Sequence, residues 1–475
     1  MSIVRIETLG CRLNQIESEA AARFFIDDGF SVDMKGVTSS APEDTETRLC
    51  ILNTCTVTQK AEQKARRIIR LQLKKYPYAC VLVTGCYAQL NPDEIKAIDK
   101  RIAVIGGQIK SRIAEIPPLL KKNLSYFSSE NFAALINNKI SSSLPQKQGF
   151  PEASFKLATS SFVAHSRASI KIQDGCNNSC TYCAIHLARG KSVSIPVETA
   201  LQRVLELEEK GNDEVVITTV NIGQYRADYN GEVFNFTRLL KFLLESTKKI
   251  AFRISSLYPE VVTDEFCQVI KNPRVRPHFH LSVQSGSDKV LERMNRAYKR
   301  DAVINACQKL RQAKDNPFIA CDIITGFPGE SDEDFADTMD LCNKCSFAWV
   351  HAFPYSERPG TPAATMKPKV PQSLSGERAK KITDFAIKNK INYVNLFVGK
   401  EMDAILETVR RPVALRAVNG PLLYHAVTEN FLHCEIVTNQ PLSVNKTVRV
   451  RIEKALPERI LKGGEIECSA VVVKA

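Results

Sequence analysis

Three cysteines, Cys176, Cys180 and Cys183, constrain this chain more than any other feature. They stand in Gly175-Cys176-Asn177-Asn178-Ser179-Cys180-Thr181-Tyr182-Cys183, just after a strand-like run at 169–173. Thiolates spaced C-x-x-x-C-x-x-C wrap a compact loop around one cubane iron–sulfur cluster. Three ligands leave one iron open, and that iron can chelate a substrate or cofactor. A closed zinc site uses four ligands, and His186 is the nearest candidate for a fourth.

The loop sits inside a repeating βα pattern. Strand-like runs at 169–173, 214–219, 251–256, 279–283, 318–324 and 347–353 alternate with helical stretches. Six such units predict an incomplete barrel whose strand-end loops share one mouth. Glu260, Gln284 and Glu330 fall on those loops. They are candidates for binding a methionine amino group, a ribose or the substrate, and loop capping accounts for them equally well.

The first 120 residues carry a second set of cysteines. Runs at 3–8, 49–53 and 79–84 read as strands and end at Cys11, Cys55 and Cys86. An open α/β domain binds its ligands beyond the carboxyl ends of its strands, so three thiols there converge. A basic helix is expected at 59–75, before Pro77. Lys60, Lys64 and Arg67 share one of its faces, suited to RNA phosphates or to water. Residues 121–165 read as a polar connector. Short alternating runs from 396 onward predict a small all-β barrel. The expected division is 1–120, 121–165, 166–395 and 396–475.

Composition narrows the setting. Lys and Arg number 65 against 52 Asp and Glu, an excess of +13 that suits a nucleic-acid partner. The N-terminus lacks a charged segment followed by an apolar one, and no uncharged run spans a bilayer. A cytoplasmic protein without membrane contact is expected. In that reducing compartment the 15 cysteines do not form a disulfide framework. Cys50, Cys80, Cys267, Cys307, Cys321, Cys434 and Cys468 read as buried thiols, and so do Cys342 and Cys345 despite their C-x-x-C spacing.

With the aromatic Tyr182 before Cys183, the run resembles the signature of the radical S-adenosylmethionine (SAM) enzymes. Over nearly the whole chain the sequence resembles their methylthiotransferase family. The resemblance rests on Thr8-Leu9-Gly10-Cys11, Asn53-Thr54-Cys55, Thr84-Gly85-Cys86, Ala188-Arg189-Gly190, Gln284-Ser285-Gly286-Ser287, Gly326-Phe327-Pro328-Gly329-Glu330 and Arg358-Pro359-Gly360-Thr361. Val427-Thr428-Glu429-Asn430-Phe431 is similar to part of a TRAM domain, the family's small RNA-binding barrel. His165-Ser166-Arg167-Ala168 and His351-Ala352-Phe353-Pro354-Tyr355-Ser356 resemble the MtaB-type branch, which acts on N6-threonylcarbamoyladenosine in tRNA. Ala184-Ile185-His186 departs from the family's Ile-Ile-Pro.

The resemblance implies two 4Fe-4S clusters. Cys176, Cys180 and Cys183 would hold the one that cleaves S-adenosyl-L-methionine. Cys11, Cys55 and Cys86 would hold the one that carries or supplies a methylated sulfur. It implies methylthiolation at adenine C2 beside the anticodon, with an external electron donor and a monomeric enzyme. Within the family, the isopentenyladenosine and ribosomal-protein branches are alternatives. Outside it stand a non-catalytic iron–sulfur RNA-binding redox sensor and a cobalamin-binding radical methyltransferase. Breaking an unactivated aromatic C–H bond requires a cofactor in any enzymatic reading.

Overall fold

A computed structural model describes residues 3–140, 155–163, 167–410 and 422–474. His165 and Ser166 of the branch motif lie outside the described residues.

The N-terminal sheet is fully parallel. Its spatial order is Ser31–Asp33, Ile3–Thr8, Thr47–Thr54, Cys80–Gly85 and Ile102–Gly106. Helices cover both faces, so its central strands are apolar throughout rather than alternating. All six residues of Cys80–Gly85 are buried. Helix Arg12–Asp27 packs Ala21, Ala22 and Phe25 against Ile6, Ile51 and Leu82 on one face. Helix Gln59–Lys75 packs Ala65, Ile69 and Leu73 against Leu52, Val81 and Val83 on the other. Helix Ser129–Lys139 adds Phe132, Ala133 and Ile136 to the first of these cores. The edge strand Ser31–Asp33 and the strand Ile102–Gly106 extend the three strands expected from sequence.

Six further parallel βα units form the incomplete barrel. The strands are Ala168–Lys171, Glu214–Thr218, Ala251–Leu257, His278–Gln284, Phe318–Thr325 and Trp349–Pro354. The third breaks at Ser255. Ala251–Ile254 pairs with the second strand and Ser256–Leu257 with the fourth, which turns one curved wall into two sheets. Phe279, Leu281 and Val283 face the helices, leaving His278, His280, Ser282 and Gln284 to the inner side.

The 24-residue helix Gln372–Asn395 leads to a closed five-stranded barrel made of Glu401–Arg410, Leu422–Thr428, His433–Thr438, Cys468–Lys474 and Thr447–Ala455. This small barrel docks beneath the large one, at the amino ends of its strands. Phe431 stacks on His278 at 4.0 Å and meets Phe318 edge-on. Arg253 donates to the carbonyls of Thr428 and Glu429, at 3.1 and 3.2 Å. The same guanidinium holds Glu214 at 2.7 Å, and Arg276 holds its second oxygen at 3.0 Å.

Burial alone would raise the Glu214 carboxyl, but Arg253 and Arg276 overcome it and hold the group down at about 2, against 4.5 ordinarily. A depressed carboxylate stabilises the fold above its unfolded pKa and loses that contribution as pH falls through the folded one. The pairing contributes about 3 kcal/mol, expected to disappear between about pH 4.5 and pH 2. Trp349, the chain's single tryptophan, packs against both adjoining cores and reports on this junction by fluorescence. Urea unfolding of Glu214→Gln should lack this part of the acid dependence; an unchanged pH profile would contradict the assignment.

Candidate active site

The N-terminal cysteines sit where three neighbouring strands end. Cys11 precedes helix Arg12–Asp27, Cys55 follows Thr54, and Cys86 opens the short helix Cys86–Leu90. Glycines let these loops meet. Gly10 has φ +98°, and a Cβ there would stand 2.5 Å from Cys55 Cβ. Gly85 has the same φ, and its Cβ would stand 2.3 Å from the Thr54 carbonyl oxygen. Burial pushes the Cys55 thiol up to about 12, with Cys86 and Cys11 adding to the rise. Burial raises Cys86 as well, against the pull of Arg189 and Lys110. Burial thus keeps Cys55 and Cys86 as thiols unless positive charge joins them.

The second set fits a cluster through its donors. The backbone N–H of Asn178 donates to Cys176 Sγ, and that of Ile185 donates to Cys183 Sγ, both at 3.4 Å. Arg296 Nη1 lies 3.3 Å from Cys180 Sγ. Asn221 Nδ2 also lies 3.9 Å from Cys176 Sγ, so each sulfur has at least one N–H donor, the kind of contact that stabilises cluster thiolates and tunes their potential. Among the described residues no three His, Cys, Asp or Glu side chains form a single-ion site. A cubane does not need one, because each thiolate binds a different iron.

A buried charge network straps the two loops together. Glu17 follows Cys11 by one and a half helical turns, and Asp174 lies two residues before Cys176. Lys171 Nζ bridges them at 3.0 and 2.9 Å. Arg189 does the same at 3.2 and 2.9 Å and also donates to Asn14 Oδ1 at 2.8 Å. Lys110 holds the other Glu17 oxygen at 2.5 Å. Burial would raise Glu17, but Lys110, Arg189 and Lys171 drive it well below its usual range. Three cations thus face two carboxylates. Burial would lower Arg189, but Asp174 and Glu17, and after them Cys86 and Cys11, hold it protonated.

Two cavities flank the Cys176–Cys183 loop. One, about 340 Å³, opens between the domains. Thr56, Val57 and Thr58, just after Cys55, form one wall. Cys183, Gln284, Asp322, Phe353 and Arg358 form the other. The second, about 380 Å³, lies beside Cys176 and is lined by Asn178, Asn221, Gln224, Tyr258 and Glu260. A larger cavity of about 870 Å³ is lined by Arg23, Ser160 and Arg203 among others. It has no cysteine in its walls.

Residues 170–342 match the radical SAM superfamily, and residues 3–107 match an uncharacterized protein family, UPF0004. The chain is 42% identical to a threonylcarbamoyladenosine tRNA methylthiotransferase MtaB of Treponema pallidum, over 95% of this chain and 98% of that one. Proteins of the same description from Thermotoga maritima and Bacillus subtilis are 37% and 31% identical. The first alignment covers 86% of this chain and 87% of the relative, the second 96% and 94%. This chain belongs to the MtaB branch of the radical SAM methylthiotransferases.

As a radical SAM enzyme, it requires a 4Fe-4S cluster and SAM, and the donor pattern around Cys176, Cys180 and Cys183 fits the cluster. The three other candidates in this methylthiotransferase separate. Gln284 lines the interdomain cavity at φ +71°, a conformation that costs a non-glycine residue and that clusters at functional sites. Glu260 lines the cavity beside Cys176. Glu330 belongs to neither lining. It is buried, accepts from the Gly326 N–H at 2.8 Å and pairs with Arg378 at 2.6 Å, bracing the Gly326–Glu330 turn. Sequence reasoning overlooked Arg296 and Lys171, and it met Arg358 only as part of a family motif without a role. Their partners lie 116, 154 and 302 positions away. No helix among the described residues is long and apolar enough to cross a membrane.

Proposed function

We propose that this enzyme methylthiolates C2 of N6-threonylcarbamoyladenosine at position 37, next to the anticodon of tRNA. Its six ligands would be Cys176, Cys180 and Cys183 for one 4Fe-4S cluster and Cys11, Cys55 and Cys86 for another. The observation that carries this reading is the shared cavity, with Cys183 on one wall and the segment after Cys55 on the other. A base held there would lie against Cys183 on one side and the segment that follows Cys55 on the other. When bound, the clusters and SAM would supply the radical and sulfur chemistry that side chains lack.

The chain's own residues bind and orient. Val57, Ile185, Ile324, Phe353 and Pro354 give the cavity apolar walls against which a base can pack. Gln284 and Glu260 offer polar groups to SAM on the two sides of the loop. Glu330 acts through the turn it braces. The names of the relatives support the threonylcarbamoyl substrate over isopentenyladenosine or a ribosomal protein. An external electron donor, a monomeric state, a cytoplasmic location and the divisions at 120, 165 and 395 complete the reading.

Nucleoside mass spectrometry of tRNA from a deletion strain tests it. The 2-methylthio derivative of threonylcarbamoyladenosine should vanish and return with the wild-type gene. Its persistence, or loss of the isopentenyl derivative instead, would refute the assignment. A non-catalytic RNA-binding redox sensor would leave every nucleoside unchanged.

RNA needs a track to the cavity, and helix Gln59–Lys75 begins beside Thr58 in its wall. The helix has seven Lys and Arg against one Glu. Lys60, Lys64, Arg67, Arg70 and Lys74 are exposed on it. Each phosphate contact contributes about 0.7–0.9 to the slope of log affinity against log salt. Lys64→Gln with Arg67→Gln should therefore lower the slope for tRNA by about 1.4–1.8. An unchanged slope in a potassium chloride titration removes this helix from the interface.

A further inference from the structure

Arg358 lines the interdomain cavity and is 3% exposed. Its Nη2 donates to Thr56 Oγ1 at 2.7 Å and to Glu62. Its Nε and Nη1 are buried without a protein acceptor. A guanidinium has five N–H bonds, so three have no acceptor within the protein.

The rest of the lining narrows the acceptor's chemistry. Arg358 is the only Lys or Arg in it, and most of the remaining wall is apolar or hydroxylic. The other charged residue, Asp322, is held by His280 at 3.0 Å. Oxygen acceptors carrying negative charge make the strongest bonds to idle guanidinium donors.

We infer that Arg358 receives a carboxylate in this cavity. The inference rests on the proposed function, because that reaction brings two carboxylates to the site. One ends the threonyl substituent of the substrate nucleoside. The other ends the methionyl part of SAM. Arg358 would also lock the domains: Glu62 and Thr56 tie it to the loop after Cys55, so the carboxylate would bind where the two domains are joined.

Binding measurements on the reconstituted full chain separate the two sources. The probes are anticodon stem-loops carrying threonylcarbamoyladenosine as the free acid or as its methyl ester, and SAM alone. If the substrate supplies the carboxylate, wild type prefers the acid by about ten- to a hundredfold. Arg358→Met then erases that preference while ester binding persists, and Arg358→Lys, which keeps the charge, loses most of it. Glu62→Gln retains it, because the idle donors remain. If SAM supplies the carboxylate, both Arg358 variants weaken SAM binding at least tenfold and the acid–ester ratio is the same as in wild type. Unchanged binding of all three probes in folded Arg358→Met overturns the inference. A wild-type protein that binds neither stem-loop fails the proposed function instead, and the SAM measurement alone then decides the role of Arg358.

Discussion

Cys176→Ala should lower the iron content from about eight atoms per chain to about four and abolish both SAM cleavage and methylthio transfer. Cys55→Ala should remove a similar amount of iron yet leave SAM cleavage in place. The asymmetry follows from the positions of the two sets. Cys176, Cys180 and Cys183 share one loop, each with its own N–H donor, so losing one thiolate leaves an incomplete ligand set. Cys11, Cys55 and Cys86 come from three separate strand ends and share no loop with the first set. Iron analysis, 5′-deoxyadenosine assay and nucleoside mass spectrometry read the three quantities. Identical behaviour of the two variants, with SAM cleavage lost in both, would contradict a division of labour. Full iron retention in either would contradict its ligand assignment.

The second large effect belongs to Glu17. This carboxylate is wholly buried and touches Lys110, Lys171 and Arg189. Removing it leaves Lys171 and Arg189 with Asp174 alone and takes the carboxylate partner from Lys110. Breaking a buried pair by deleting one partner costs about 3–5 kcal/mol, because the remaining charge is stranded. Glu17→Gln should fall in that range, and Arg189→Met should cost less, since two cations would then face two carboxylates. Adding Lys110→Met to Glu17→Gln should restore part of the loss, as expected for coupled sites. Hydrogen exchange on the strand Thr47–Thr54 follows the affected region directly. A larger penalty for Arg189→Met than for Glu17→Gln would show that the surplus charge is not what governs this network.

The fold was legible wherever pattern and function coincided. Strands ending in cysteine could be read at Thr8, Thr54 and Gly85 because each apolar run stops at a turn glycine or threonine before the thiol. The small barrel was legible from alternation around His433 and Val448. What sequence hides is pairing at long range. Glu330 looked like a mouth residue because it follows a strand, yet its partner Arg378 lies 48 positions later on a helix whose spacing gives no hint of it. Lys171 sits on an ordinary strand, and only tertiary structure brings Glu17 to it across 154 positions. The edge strand Ser31–Asp33 has three residues, too few for alternation to register.

Docking the small barrel underneath the large one also sets a length scale. The strand Phe318–Thr325 begins beside Phe431 and ends below the loop that Glu330 braces. Its eight residues span about 26 Å at about 3.3 Å each. A single nucleoside is too short to touch the interdomain cavity and the small barrel together, and a polymer is not. A tRNA that contacts both would be held across that whole length, and stem-loops too short to span it should bind more weakly.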